Sequence, residues 1–341
     1  MLWFDCDYNK GCADEIMERI SAMNDERYIG YGEDEICEKA AEKIRQAVGL
    51  PDAYVKFLVG GTQTNLVAIT ASLRLTEGVI AAKTGHIYVH ECGAIEHAGH
   101  KVIDLPSHNG KLDPEEVAEY MKHFYADSTY PHMVKPAMVY ISHPTEYGSL
   151  YTKDELKRLH EICETYKMKL YVDGARLGYA LGAKNCDVTL KTLGEYTDMF
   201  YIGGTKMGAL FGEALVIKDK TLLPDFFSIM KQSGAVLAKG WLLGAQFDVL
   251  FTDGLYEKIG RRAVELALTM KKGFIEKGYR TYMDSETNQQ FFIIEKKKLP
   301  ELEKNVSFSA WEDFDDDNKI VRFATSFATT SSDVEELLKL I

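Results

Sequence analysis

Lys169-Leu170-Tyr171-Val172-Asp173-Gly174-Ala175-Arg176 and, further on, Asp198-Met199-Phe200-Tyr201-Ile202-Gly203-Gly204-Thr205-Lys206-Met207-Gly208 share one pattern, an apolar run that ends in charge. Read as buried parallel strands, they deliver Asp173, Arg176 and Lys206 at or just past the carboxyl ends of a sheet, where open α/β sheets form their ligand crevice. Taken singly, each has a plainer reading, a strand-end turn and a solvated loop lysine. A third stretch favours the crevice. Val59-Gly60-Gly61-Thr62-Gln63-Thr64-Asn65 follows the strand-like Tyr54-Val55-Lys56-Phe57-Leu58 and opens a helix to about Leu75, so that backbone N–H groups face an anion.

An anion cradle, a carboxylate, a guanidinium and an amine together suit pyridoxal 5'-phosphate. Lys206 supplies the amine that condenses with the cofactor aldehyde, and partial desolvation keeps that amine nucleophilic. Asp173 stays ionised opposite the pyridine nitrogen, and Arg176 can grip a substrate carboxylate with both arms of its fork. Lys239, in Leu237-Ala238-Lys239-Gly240, is the competing lysine, but no strand precedes it.

Six segments in this order and spacing resemble the threonine aldolases, within the beta-eliminating lyase group of fold type I pyridoxal-phosphate enzymes. They are Tyr31-Gly32-Glu33-Asp34, Gly60-Gly61-Thr62-Gln63-Thr64-Asn65-Leu66, His86 with Glu91-Cys92-Gly93-Ala94, Asp173-Gly174-Ala175-Arg176, Thr205-Lys206, and Val321-Arg322-Phe323-Ala324-Thr325-Ser326. The likeness runs almost end to end. It implies an α/β fold with a large, mostly parallel seven-stranded sheet domain and a smaller C-terminal α+β domain. It also implies Gly61, Thr62 and Thr205 around the cofactor, His86 stacked on its ring, and Tyr31 and Arg322 beside Arg176 at the substrate. By itself Arg322 reads as a surface ion-pair arginine. Lys239 stands near the place of a family arginine that this chain lacks.

The activity so implied is cleavage of a β-hydroxy-α-amino acid, L-threonine or L-allo-threonine, to glycine and an aldehyde, in a homodimer or homotetramer with shared sites. Two departures bear on it. His143-Pro144-Thr145-Glu146-Tyr147-Gly148 carries Glu146 where the family has a histidine beside the substrate, and Cys6 replaces a serine. Glu146 and His86 are then the candidate bases for the substrate hydroxyl. β-Elimination from an aromatic or sulfur amino acid is the nearest alternative, because only side-chain contacts separate the two.

The segment from His86 to His100 holds four histidines, two glutamates and a cysteine, which raises a metal-dependent hydrolase. Its spacing fits neither a zinc finger nor a His-Glu-x-x-His helix, since position 94 is Ala, so no metal ligand is assigned and the other histidines are expected to be capping or exposed. A bare phosphate-ligand module would leave Asp173, Arg176 and Lys206 without a role.

A chain of 341 residues suits about two domains. The expected division is an arm with helices over 1–50, a large cofactor-binding α/β domain over 51–252, and a small α+β domain over 253–341. Helices are expected over 13–23, 35–48, 153–166 and about 254–277, and from 333. The segments carrying Lys206 and Ala214 are too close for a crossover and should pair antiparallel. The acidic run from Glu312 to Asp317 reads as a solvated turn. A net charge of -12 argues against nucleic acid, and no apolar run approaches the ~18 residues of a membrane span. Six scattered cysteines without a Cys-x-x-Cys pair, and no basic-then-apolar leader, point to reduced thiols in a cytoplasmic enzyme with a small amino-acid substrate.

Overall fold

The apolar runs of the sequence become neighbouring strands in a computed structural model that describes residues 1–341. In chain order the strands are β1 (Leu2–Trp3), β2 (Tyr54–Leu58), β3 (Glu77–Ala82), β4 (Lys101–Leu105), β5 (Lys135–Ser142), β6 (Lys169–Asp173) and β7 (Met199–Gly203). They continue with β8 (Glu213–Ile217), β9 (Arg280–Thr281), β10 (Gln289–Glu295), β11 (Val306–Ser307), β12 (Ser309–Asp313) and β13 (Asn318–Ala324). Seven of them form the large sheet in the order β2-β8-β7-β6-β5-β3-β4. Its pairs are parallel except those of β8, which runs antiparallel to both β2 and β7. The expected pairing of the Lys206 and Ala214 segments is therefore found, in the register Met199↔Ile217 to Gly203↔Glu213.

Continuous apolarity follows from burial on both faces. Every residue of β7 and β8 is buried. Alternate residues serve opposite faces. Val139, Ile141, Leu170, Val172, Phe200 and Ile202 join one core, while Met138, Tyr140, Tyr171, Met199 and Tyr201 join the other. The three tyrosines thus stand on one face of adjacent strands, just short of the ends where the site lies.

Helix limits follow from their caps. Asp34 accepts the N–H groups of Ile36 and Cys37 and starts the helix Glu35–Val48, and Gly49 ends it in the left-handed region at φ 74°. Thr152 and Glu155 form a capping box on Lys153–Tyr166. The helices Leu177–Gly182 and Leu255–Glu276 touch where neither has a side chain: a Cβ on Gly260 would stand 2.0 Å from the Gly178 carbonyl oxygen. Gly260→Ala would gain about 1 kcal/mol of helix propensity, but a backbone overlap of this kind costs about 3 kcal/mol. A net loss of about 2 kcal/mol is expected, read as a lower urea midpoint with an unchanged slope.

Beyond the large sheet, β12-β13-β10-β9 form a second sheet, antiparallel at every pair. Phe274 and Phe292 stack at 4.0 Å between centroids in its core, joined by Phe323. Two expectations need correction. Part of the acidic run is strand, since β12 extends to Asp313 before the turn at Asp315–Asp317. Its carboxylates are tolerated because β12 is an edge strand, where charge blocks further pairing. The first residues, expected in the N-terminal arm, instead join the C-terminal part: β1 pairs parallel with β11, and Phe4 enters the core of Phe292 and Phe323. No helix is long and apolar enough to cross a membrane.

Candidate active site

The carboxyl ends of β5, β6 and β7 open into a cavity of about 260 Å³ whose wall includes Asp173, Arg176, Thr205, Lys206, His86 and Glu146. Asp173 closes β6 and is 4% exposed. Its Oδ2 accepts the Tyr140 hydroxyl at 2.6 Å and the Asn65 amide at 3.0 Å, and its Oδ1 accepts the Ala175 N–H at 3.0 Å and the Tyr201 hydroxyl. Burial alone would raise its pKa. The nearby His86 charge and these donors outweigh burial and hold Asp173 below the usual carboxylate range. The turn after it needs glycine, because a Cβ on Gly174 would lie 1.9 Å from the Tyr201 carbonyl oxygen.

Lys206 lies in the single turn Thr205–Met207 that follows β7. Burial and then the Arg176 guanidinium push its ammonium below the ordinary lysine range, against the pull of Asp7, Asp173 and Glu213. Gly60, Gly61 and Thr62 line the same cavity as Thr205 and Lys206, at the start of the helix Gly61–Ser72. The first N–H groups of a helix have no partner within it, so this end can hold an anion.

His86, Glu91 and Glu146 build the remaining polar wall. His86 Nδ1 lies 2.8 Å from Glu91 Oε1, which also accepts the Asn65 amide at 2.8 Å, so a buried chain links His86 through Glu91 and Asn65 to Asp173. Burial would lower His86; the bond to Glu91 and the charge of Asp173 raise it overall. Glu146 Oε1 accepts the Ser142 hydroxyl at 2.7 Å and the His86 N–H at 3.0 Å, while its buried Oε2 has no partner. Burial pushes the Glu146 carboxyl above the usual range.

Gly61, Thr62, His86, Glu146, Asp173, Arg176, Thr205 and Lys206 of the expected set therefore meet at one cavity. The fork of Arg176 is already engaged: Nε and Nη2 bond Asp7 at 2.8 and 3.0 Å, and Asn288 donates to the same carboxylate at 2.9 Å. A two-armed grip on a substrate is thus replaced by a grip on Asp7, which leaves Nη1. Arg322 is not on the cavity wall. It donates to Gln289 Oε1 at 3.0 Å and to the Asp5 carbonyl at 2.9 Å, close enough to Arg176 that this second charge, after burial, depresses its pKa.

Tyr31 is not brought to Lys206. It lines a separate groove of about 370 Å³ with Lys56, Phe227 and Gly240, and is 51% exposed. Lys239 is exposed and absent from the cavity wall. His100, expected to be capping or exposed, is buried beside the Glu77 carbonyl. No three His, Cys, Asp or Glu side chains are grouped so as to hold a metal ion.

Asp7, Asn65, Glu91, Glu213 and the tyrosines at 140, 171 and 201 were not among the expected site residues. For the tyrosines a signal was present: Tyr140, Tyr171 and Tyr201 each stand two residues before a strand end, on the face of Ser142, Asp173 and Gly203.

Residues 7–295 match the beta-eliminating lyase family. The chain is 32% identical over 256 residues to a low specificity L-threonine aldolase of Pseudomonas sp. strain NCIMB 10558, covering 74% of this chain and 72% of that protein. A solved structure of a Leishmania major threonine aldolase superposes with a TM-score of 0.96 at 40% identity, covering 100% of this chain and 98% of that one. A Thermus thermophilus aspartate aminotransferase shares the fold, with a TM-score of 0.71 at 17% identity.

Proposed function

The chain belongs to the beta-eliminating lyase family, and from that premise we propose that it binds pyridoxal 5'-phosphate and cleaves a β-hydroxy-α-amino acid, L-threonine or L-allo-threonine, to glycine and an aldehyde. The observation that carries this reading is the pair on adjacent strand ends: Asp173 held ionised and Lys206 held short of full proton affinity, on one cavity wall. The donor set fits the cofactor. Asp173 would face the ring nitrogen, His86 would lie against the ring, and Gly61, Thr62 and Thr205 would hold the phosphate. Lys206 Nζ would supply the amine for the cofactor aldehyde. When bound, the cofactor supplies an electron-withdrawing ring that stabilises negative charge on the substrate α-carbon.

The rest of the chemistry falls to the chain. Arg176 Nη1, kept in place by Asp7, takes the substrate carboxylate, with Arg322 adding positive charge behind it. Glu146 Oε2, buried and without a partner, receives the β-hydroxyl proton as the Cα–Cβ bond breaks. Tyr31 half-exposes its ring outside the cavity of its own chain, so its substrate role requires a second copy; a homodimer or homotetramer provides one. All six cysteines are free, which fits a reducing cytoplasm.

The test is product analysis of the cofactor-loaded protein. L-Threonine or L-allo-threonine should yield acetaldehyde and glycine in equal amounts. Pyruvate from tyrosine, tryptophan or cysteine, with no aldehyde from either threonine, would transfer the assignment to β-elimination.

A further inference from the structure

Glu213 is a buried carboxyl for which the proposed cleavage has no use. It opens β8, where its Cα pairs on one side with Leu58 and on the other with Gly203. Leu58 leads into Val59-Gly60-Gly61 and the helix that follows, and Gly203 leads into Gly204-Thr205-Lys206. Glu213 therefore stands between the two loops that form the anion end of the cavity, and it lines that cavity itself. It is 4% exposed, and its Oε2 accepts the Gly204 N–H at 3.1 Å. An acid is the wrong neighbour for a phosphate if both are ionised. Apart from Lys206, Arg176 and His86, no side chain on this wall is basic, so nothing else would screen the repulsion.

We propose that Glu213 is protonated when the site is filled and donates its carboxyl O–H to the cofactor phosphate, doing the work of a cationic side chain; this rests on the reading of the cavity as a pyridoxal-phosphate site. A neutral carboxyl removes the like charge and adds a donor. Burial pushes Glu213 up to about 8, opposed by Lys206, Thr205 and Gly204 and reinforced by Asp173. The other titratable groups facing it are Tyr171 and Tyr201 from the sheet and Tyr256 from the helix Leu255–Glu276. All three are raised by burial first and are held neutral.

The consequence is a proton linked to phosphate binding. The probe is 4'-deoxypyridoxine 5'-phosphate, which keeps ring and phosphate but has no aldehyde for Lys206, titrated into the full chain freed of cofactor. If only protonated Glu213 accepts the phosphate, the dissociation constant of the probe rises between pH 7 and pH 9 about tenfold more than that of phosphate-free 4'-deoxypyridoxine, which shares the titration of the ring nitrogen. Glu213→Gln, whose amide can still donate, should match the wild-type affinity at pH 7 and lose that extra rise. Calorimetry of the wild type in buffers of different ionisation enthalpy gives a check that needs no variant: at pH 9 the phosphate probe should take up about one proton more than phosphate-free 4'-deoxypyridoxine. An unchanged pH dependence in Glu213→Gln, tighter binding by that variant at pH 7, or no extra proton uptake would each overturn the role of Glu213 alone. If neither the probe nor pyridoxal phosphate binds at all, the reading of the cavity falls, and this inference with it.

Discussion

Lys206→Ala leaves no residue for borohydride to fix to pyridoxal phosphate, and aldehyde release from L-threonine falls on the order of 10⁴-fold or more, the range seen when a nucleophile is removed. The size of the effect follows from position. Lys206 is the cavity lysine whose ammonium is lowered by burial and by Arg176, whereas Lys239 is exposed and off the wall. Cofactor affinity should fall much less, because the helix end at Gly61 and the donors around Asp173 are untouched. Lys206→Arg separates chemistry from space: it restores bulk and charge but no amine, so it should be as inactive as the alanine variant. Peptide mapping of the reduced wild type decides the matter, and a label on Lys239 would end the assignment.

The legible parts of this chain were those where local pattern and tertiary demand agree. β6 and β7 are buried on both faces, so their apolar runs showed as strands, and Asp173 stood out as the charge that closes β6 and Lys206 as the charge in the turn past β7. The helices 35–48 and 153–166 matched their expected limits because Asp34, Gly49 and the Thr152–Glu155 pair carry the stop and start signals locally. What was not legible depends on partners distant in the chain. Nothing around Asp7 indicates that it will be fully buried against Arg176, and a bidentate arginine looks equally available until that carboxylate is placed. Glu91 read as one of a histidine-rich group, yet its bond to Asn65 ties His86 to Asp173. β12 was missed because an edge strand carrying Glu312 and Asp313 lacks the apolar alternation that marks a half-buried strand.

Glu146→Gln is expected to lower aldehyde release by ~10²–10⁴-fold, the usual worth of a general base, while Lys206 is still labelled in full. The amide oxygen can keep the Ser142 hydroxyl and the His86 N–H, so the wall should hold its shape; what disappears is the acceptor at the unpartnered Oε2. The pH profile gives the sign. A base must be ionised, and burial raises Glu146, so wild-type kcat/KM should fall as pH drops through a value above the ordinary glutamate range near ~4.3. Glu146→Gln should lose that limb, and Glu146→Asp should recover part of the rate together with it. His86 is the rival base, but its Nδ1 is tied to Glu91 and its pKa is raised overall, which favours the imidazolium, a form with no free acceptor. A Glu146→Gln protein within a few-fold of wild type, with its acid limb intact, would return the proton to His86. The expected loss would instead mean that the histidine usual at this place in the family has been replaced by a carboxylate that needs burial to reach a comparable basicity.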